Sequence, residues 1–187
     1  MKDRDIRQIL GRFELKKYLE DPESKVVEEL RLAVARAQID IAVINGHLHG
    51  YEIKSASDTL TRWPDQLEAY TKIFDYLTVV TEEKHAKKLL KTIPDWVGLV
   101  VCDSSGTKRV KKDRVNKNKQ GFYLAKLLWR EEIIDLLKFY RLPYRSKDRN
   151  WILCEILAEN LSIREISTQV REKLKLRMDW KVNSAFD

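Results

Sequence analysis

Charged residues placed inside two apolar strands constrain this chain more than any other feature. The sequence DIAVI at residues 40–44 is followed by Asn-Gly at residues 45–46 and by YEIK at residues 51–54. Asn-Gly between two such runs is typical of a β-hairpin. Burying a charge costs several kcal/mol unless another group compensates it. An Asp, a Glu and a Lys in one hairpin therefore indicate a functional site.

The register of the hairpin decides whether these charges meet. Side chains alternate along a strand, so Glu52 and Lys54 share one face of the sheet. A two-residue loop would pair Asp40 with Tyr51 and send Glu52 to the opposite face, whereas a three-residue loop pairs Asp40 with Glu52. We expect the three-residue loop, at residues 45–47, with its glycine in the left-handed conformation.

Two carboxylates and a lysine on one face suit phosphodiester hydrolysis. Asp40 and Glu52 supply hard oxygen ligands for Mg²⁺ or Mn²⁺, with water and a phosphate oxygen in the remaining positions. Lys54 would orient or help deprotonate an attacking water and offset charge on the phosphorane. The alternative interpretation is a structural ion pair between Lys54 and one acid.

Apolar periodicity around the hairpin predicts an α/β fold with a mixed sheet flanked by helices. The predicted elements are a helix over 3–20, strands over 25–32, 39–44 and 48–55, a helix over 60–77, a strand over 77–81, a charged helix over 82–92 and a strand over 96–102. From residue 122 the pattern is helical alone. We therefore divide the chain into a domain at residues 1–121 and a helical subdomain at residues 122–187.

Three helices are predicted in the helical subdomain. The first spans 124–137, the second 148–160, and the third begins at a capping box formed by Ser162 and Glu165. Such helices occur in helix-turn-helix DNA readers and in plain packing subdomains, and the sequence identifies no groove-facing side chain. A helix-turn-helix regulator stays open as a third interpretation.

Asp40 followed by Glu52-Ile53-Lys54 resembles the D…(D/E)-x-K signature of the PD-(D/E)xK nuclease superfamily. The predicted helix, three strands, helix and strand of residues 3–81 match the core order of that superfamily. The resemblance implies a restriction-endonuclease-like fold and a Mg²⁺- or Mn²⁺-dependent nuclease, with DNA as the expected substrate. No proline precedes Asp40, which departs from the signature and leaves the metal ligand in place.

Other segments are similar to particular members of that superfamily. Residues 37–81 resemble small, poorly characterised bacterial and phage proteins and DNA-repair nuclease-like proteins. Residues 128–130 (LWR) and 174–177 (LKLR) also resemble the bacterial and phage group. The core resemblance covers about half of the chain.

The resemblance implies further site residues. Members often carry an additional acid upstream, for which Glu29 is the candidate metal ligand and Glu14 the rival; a surface charge is the alternative for each. Gln66 and Tyr70 resemble the Q-x-x-x-Y motif found in some members. Their spacing places both on one face of a helix, although Tyr70 also fits the apolar stripe of that helix.

Positive charge is concentrated in one segment. The chain carries 36 Lys and Arg against 29 Asp and Glu, a formal charge of +7, and residues 108–119 hold seven basic residues and one acid. We expect this segment to hold a phosphate backbone beside the catalytic face; a solvated basic loop is the alternative. Its candidate residues are Lys108, Arg109, Lys111, Lys112 and Arg114. Ser55 and Arg62 are further candidates for phosphate contact.

The remaining features limit the cell compartment and the assembly. No window approaches 18 uncharged apolar residues and the N-terminus lacks an apolar signal segment, so we expect a soluble, cytoplasmic protein. Cys102 and Cys154 are expected to be buried small hydrophobes. His47 and His49 lack a third ligand and are expected in an exposed turn.

Two functions follow from these patterns. The first is a Mg²⁺-dependent nuclease that cuts DNA. The second is a catalytically inactive nuclease-fold module that binds DNA or a protein partner. A homodimer is compatible with the first, because a duplex cutter often needs two active sites.

Overall fold

A six-stranded mixed sheet forms the centre of the computed structural model, which describes residues 1–34, 37–55 and 58–178. The strands lie side by side in sequence order. They are β1 (Lys25–Arg31), β2 (Gln38–Ile44), β3 (Leu48–Lys54), β4 (Tyr76–Thr81), β5 (Val97–Asp103) and β6 (Gly106–Lys111). Strands β3, β4 and β5 are parallel, and the other neighbours are antiparallel.

Eight α-helices accompany the sheet within the described ranges. They are α1 (Asp3–Phe13), α2 (Lys16–Leu19), α3 (Trp63–Thr71), α4 (Glu83–Thr92), α5 (Gly121–Ala125), α6 (Arg130–Phe139), α7 (Asn150–Asn160) and α8 (Ile163–Leu176). A 3₁₀ turn, Leu60–Arg62, leads into α3. The prediction of a mixed α/β fold is confirmed.

The hairpin between β2 and β3 has the predicted three-residue loop, since Ile44 pairs with Leu48. The expectation of a left-handed Gly46 was wrong, because its φ is not positive. Asn45 closes the loop instead: its side-chain Oδ1 accepts the N–H of His47 at 2.9 Å, and its own N–H donates to the carbonyl of His47 at 3.0 Å. An Asx turn of this kind removes the need for a left-handed residue.

Two predicted helices have different bounds. The opening helix divides into α1 and α2 where Leu15 is buried and its N–H donates to the carbonyl of Leu10. Helix α3 ends at Thr71, because the side-chain amide of Asn116 donates to the carbonyls of Thr71 and Phe74 and so caps the last turn. A cap supplied from about 45 residues along the chain leaves no local signal.

The basic segment contributes the edge strand β6, where the sequence predicted only a loop or hairpin. Its residues are exposed or half-buried. A strand exposed in this way lacks the apolar alternation by which strands are recognised. The predicted helix over 124–137 likewise divides, into α5 and α6.

Apolar side chains cover both faces of the sheet. The smaller cluster joins α1 to the sheet through Ile6, Leu10, Ile41, Tyr51 and Ile53. The larger cluster combines the other face with α3, α4 and the C-terminal helices. The C-terminal helices therefore share an apolar core with the sheet, and the division at residue 121 stays a prediction; residues 179–187 lie outside the described ranges.

The cysteines are free and buried, as expected. Burial raises the pKa of the Cys102 and Cys154 thiols to about 11. Each helix in the described ranges is too short or too polar to traverse a lipid bilayer.

Candidate active site

Asp40 lies where strands β2 and β3 part. The last pair of their ladder is Ile41 with Tyr51, whereas β3 stays paired with β4 as far as Lys54. Beyond that pair, Oδ2 of Asp40 accepts the backbone N–H of Ile53 at 2.7 Å. A carboxylate thus takes the place of a main-chain acceptor at the end of the ladder, which fixes its position.

Arg7 of α1 holds the other side of Asp40. Its guanidinium donates to the main-chain oxygen of Asp40 at 3.1 Å and to Oδ1 at 3.4 Å. The same group donates to Asp3 at 2.6 Å and to Glu28 at 3.4 Å. Arg7 is only 6% exposed, and its charge-assisted hydrogen bonds are stronger than those between neutral groups. Three acids therefore share one buried cation.

The upstream acid predicted from the sequence is not at this site. Glu29 is exposed, with φ of 55°, and borders a separate pocket beside Trp129 and Arg177. The rival, Glu14, pairs with Arg109 beside another pocket of the sheet. The acid of β1 that approaches Asp40 through Arg7 is Glu28. Adjacent residues of a strand point to opposite faces of the sheet, so choosing Glu29 instead of Glu28 selects the other face.

Glu52 is held by three side chains. Its Oε1 accepts hydrogen bonds from Nζ of Lys54 at 2.5 Å and from the amide of Gln66 at 2.9 Å. Its Oε2 accepts from the hydroxyl of Tyr70 at 2.7 Å. Gln66 also accepts from Lys54 at 2.8 Å. Gln66 and Tyr70 thus both contact Glu52, and Tyr70 is at once a core residue and a hydrogen-bond donor to the carboxylate.

The site opens into a polar pocket of about 450 Å³. Asp40, Glu52 and Lys54 border it together with residues 1–3. Ser55 and Arg62, the further phosphate candidates, also border it, as do Asp58 and Gln66.

Asp40 and Glu52 are difficult to ionise, because the pKa of each is raised. Burial, and next the repulsion from Glu52, raise the pKa of Asp40 to about 7. Burial also raises the pKa of Glu52, against the opposing effects of Lys54, Tyr70 and Gln66. Two neighbouring carboxylates with raised pKa values create a local demand for positive charge.

Sequence reasoning missed two members of the site. Arg7 had an available signal, because it lies beside Ile6 on the buried face of an amphipathic helix, where a charge needs a partner. Asp58 had no such signal. Its Oδ2 accepts hydrogen bonds from the backbone N–H of Ser55 at 2.7 Å and from the Ser55 hydroxyl at 2.9 Å, and such contacts are ordinary in turns.

The donor set fits a hard divalent ion. Mg²⁺ is commonly held by one or two carboxylates and completes its shell with water and phosphate oxygens. Asp40 and Glu52 match that requirement. Across residues 1–34, 37–55 and 58–178, no group of three His, Cys, Asp or Glu side chains is arranged to hold a metal ion. Asp40 and Glu52 are the residues of this pocket that could serve as two carboxylate ligands of such an ion.

The predicted basic residues do not form one surface beside this pocket. Strand pairing places Lys108 level with Lys54, three strands away on the exposed edge. Arg109 pairs with Asp113 at 2.8 Å and also with Glu14.

Three further basic candidates lie towards the other end of the sheet. Lys111 pairs with Leu99, and its ammonium donates to the carbonyl of Pro94 at 2.7 Å. Lys112 and Arg114 follow it and are exposed. The sequence grouped residues that the fold of β6 separates.

Comparisons with known proteins identify a phage family. The sequence profile described as Bacteriophage P4 protein cII matches residues 6–186. Protein cII of Enterobacteria phage P4 is 29% identical over 159 residues, which are 83% of this chain and 60% of that protein. The chain thus spans about 60% of the length of this relative.

One solved structure, a protein of unknown function from Silicibacter pomeroyi, is 17% identical, with a TM-score of 0.46 over 76% of this chain and 93% of that one. A likeness at this level assigns no fold. The predicted similarity to phage proteins is confirmed, because the matching family and relative are those of a phage protein. The nuclease superfamily stays a prediction.

Proposed function

The chain belongs to the bacteriophage P4 protein cII family, and we propose that it is a metal-dependent nuclease that hydrolyses DNA phosphodiester bonds. We assign its fold to the restriction-endonuclease-like PD-(D/E)xK type. One observation carries the proposal: Asp40 and Glu52 lie together where two strands part, both with raised pKa values, and Lys54 contacts Glu52 at 2.5 Å.

The order of elements supports the fold assignment. Helix α1, the three antiparallel strands β1–β3, helix α3 and the parallel strand β4 follow one another as the superfamily resemblance implies. The three signature residues lie at one end of this unit and border one pocket.

Asp40 and Glu52 would hold Mg²⁺ or Mn²⁺. Such an ion, when bound, lowers the pKa of a coordinated water and neutralises charge on the phosphate. The chain orients both acids in advance. Arg7 and the Ile53 N–H hold Asp40, while Tyr70 and Gln66 hold Glu52.

Lys54 is the side chain that would contribute positive charge to the proposed reaction. Its ammonium lies 2.8 Å from Oε1 of Gln66 and 5.7 Å from the centre of the Trp63 ring. These contacts, with Glu52, restrict a side chain that would otherwise be flexible. In the proposed reaction Lys54 orients the attacking water and offsets the charge that develops on the phosphorus oxygens.

DNA is the proposed partner, and a homodimer is the proposed assembly for duplex cleavage. The exposed cations Arg62, at the pocket, and Lys108, level with Lys54, are the proposed backbone contacts. Two buried free thiols and a DNA substrate favour the cytoplasm as the place of action.

The test is a cleavage assay with linear, nicked, branched and single-stranded DNA in Mg²⁺ or Mn²⁺. The wild-type chain is compared with Asp40→Asn, Lys54→Met and Glu29→Gln. Glu29→Gln is the matched control, because it removes a β1 acid that lies outside the pocket. We expect metal-dependent cleavage by the wild type and the control only. Absence of cleavage on every DNA, or full activity in Lys54→Met, would overturn the proposal.

A catalytically inactive nuclease-fold module is the second candidate. The ion pair between Lys54 and Glu52 favours it, because the ammonium already balances one of the two acids. This candidate predicts that calorimetry detects no Mn²⁺ binding and that Asp40→Asn binds DNA as tightly as the wild type. The nuclease proposal predicts Mn²⁺ binding that Asp40→Asn loses.

A further inference from the structure

A second pocket borders the sheet at the other end of α1. It has a volume of about 380 Å³, within the range of roughly 300–1,000 Å³ found for small-molecule sites. Asp3, at the start of α1, borders the first pocket, and Glu14, just beyond its end, borders the second. The proposed nuclease reaction uses no residue of this second pocket.

Stacked aromatic rings form its inner wall. His49 and Tyr51 of β3 are 8% and 1% exposed, and their rings stack with centroids 4.3 Å apart at 23°. The Nε2 atom of His49 lies 3.0 Å from the hydroxyl of Thr78. The expectation that both hairpin histidines are exposed was wrong for His49, because β3 begins at Leu48 and the His49 ring stacks on Tyr51, a member of the smaller apolar cluster.

Two further rings stand at the mouth of the pocket. His47 is exposed and meets Tyr76 edge-on, with ring centroids 5.1 Å apart and planes at 90°. His49 approaches the same tyrosine at 5.7 Å and 48°. In an edge-on pair, ring faces remain that the partner does not cover. A planar ligand can therefore stack on these side chains without displacing them.

Positive charge borders the same pocket. Lys17 of α2 and Lys112, just after β6, both line it and are exposed. Neither forms an ion pair with a carboxylate in the part of the chain that the structure describes, and the ammonium of Lys17 lies 4.7 Å from the centre of the Tyr18 ring. Arg109 is engaged by Glu14 and Asp113. The pocket thus combines an aromatic wall with three cations and two acids, a net formal charge of +1.

From this arrangement we propose that the second pocket binds a nucleotide unit, with its base against His47 and Tyr76 and its phosphate at Lys17 and Lys112. Aromatic side chains stack on the face of any base, so the site tolerates different bases. Lysine binds phosphate as a point charge. The unit is a free nucleotide or one nucleotide of a single strand, which share this chemistry. The proposal does not depend on nuclease activity.

The three histidines of the chain allow a direct test. NMR spectra of the imidazole Cε1–H groups give one signal each for His47, His49 and His85, assigned by substitution. His85 belongs to α4, does not border the pocket, and is the internal control. The protein is titrated with thymidine monophosphate, with a short thymidine oligonucleotide and with inorganic phosphate.

We expect the nucleotide unit to shift the His47 and His49 signals and to leave His85 in place. Shifts with the monophosphate identify a free-nucleotide site, and shifts with the oligonucleotide alone identify a single-strand site. Both support the proposal. Equal shifts with inorganic phosphate, or no shift with either nucleotide form, would overturn it.

Exposed variants keep the test independent of folding. His47→Ala should weaken binding roughly tenfold, because stacking is lost, and Lys112→Gln should weaken it several-fold. Lys117→Gln is the matched control: it removes an exposed charge from the same segment outside the pocket. Equal losses in the two lysine variants would indicate only general attraction to a basic surface, which contradicts the proposal.

Discussion

Burial shifts the pKa of one residue in each of the two pockets at the ends of α1, and the two shifts have opposite directions. At the first, burial is the main cause that raises the pKa of Asp40 to about 7. At the second, burial is the main cause that lowers the pKa of His49 to about 4. Burial disfavours the charged form in both cases. The acid end therefore favours an added cation, whereas the histidine end keeps a neutral ring that is suited to stacking.

Charge compensation differs accordingly. The carboxylate of Asp40 meets Arg7 at 3.4 Å, and Glu52 meets Lys54 at 2.5 Å. His49 faces Asp113 at 3.5 Å, and that acid is also engaged by Arg109. The first pocket is thus a network of charges, while the second combines aromatic rings with two lysines and the ion pairs of Arg109 with Glu14 and Asp113.

The largest expected effect is on cleavage. Lys54→Met keeps the length of the side chain and removes its charge, so the single-turnover rate on DNA should fall at least roughly 100-fold. Lys108→Met is the control, since Lys108 lies level with Lys54 on the exposed edge strand. A comparable loss in both variants would mean that Lys54 contributes only to DNA attraction.

The second prediction distinguishes the two pockets by metal. Mn²⁺ at 100 times its dissociation constant should raise the free energy of unfolding by about 3 kcal/mol. Thermal unfolding should show this increase in the wild type and in His47→Ala, and should not show it in Asp40→Asn. If His47→Ala abolishes the increase instead, the cation binds at the histidine end and the comparison is reversed.

A third effect concerns acid stability at the second pocket. The folded pKa of His49 is lowered, so below about pH 6.5 the unfolded chain binds more protons than the folded chain. The free energy of unfolding should fall by about 2 kcal/mol as the pH is lowered from about 6.5 to 4. Urea titrations of wild type and His49→Gln measure this contribution. An NMR midpoint of the His49 signal near pH 6.5 would contradict the prediction.

The smallest expected effect concerns Asp40, for which the free energy of unfolding changes with pH in the direction opposite to that for His49. The folded pKa of Asp40 is raised, so between about pH 4 and 7 the folded chain binds more protons, and the free energy of unfolding falls as the pH rises. The side chain is 26% exposed, which reduces the expected cost to about 1–2 kcal/mol at pH 8. In metal-free buffer Asp40→Asn should recover this amount, measured by urea unfolding. A variant less stable than wild type at pH 8 would contradict the argument.

The parts of the site that could be predicted rest on local periodicity. The three-residue loop places Asp40 opposite Glu52, one step beyond the last pair of the β2–β3 ladder. The spacing of four residues places Gln66 and Tyr70 on one face of α3, where both contact Glu52. Each of these relations spans one strand pair or one helical turn. Alternation and helical periodicity fix such relations without knowledge of the remaining fold.

The parts that could not be predicted depend on contacts between distant segments. Arg7 reaches Asp40 across 33 residues of sequence. Glu28, rather than Glu29, approaches Asp40 through Arg7, and β1 departs from regular geometry at Glu29, where φ is 55°. The end of α3 depends on Asn116. The sequence of the contacted segment does not indicate which distant residue will contact it.

The contact between Asp40 and the Ile53 amide has a consequence for measurement. An amide hydrogen bonded to a titrating carboxylate changes its chemical shift and its hydrogen-exchange rate when that carboxylate gains or loses a proton. The Ile53 amide, 2.7 Å from Asp40, is therefore a natural reporter inside the first pocket. Its cross-peak in a ¹H–¹⁵N spectrum can follow the protonation of Asp40 in the intact protein, without substrate or turnover.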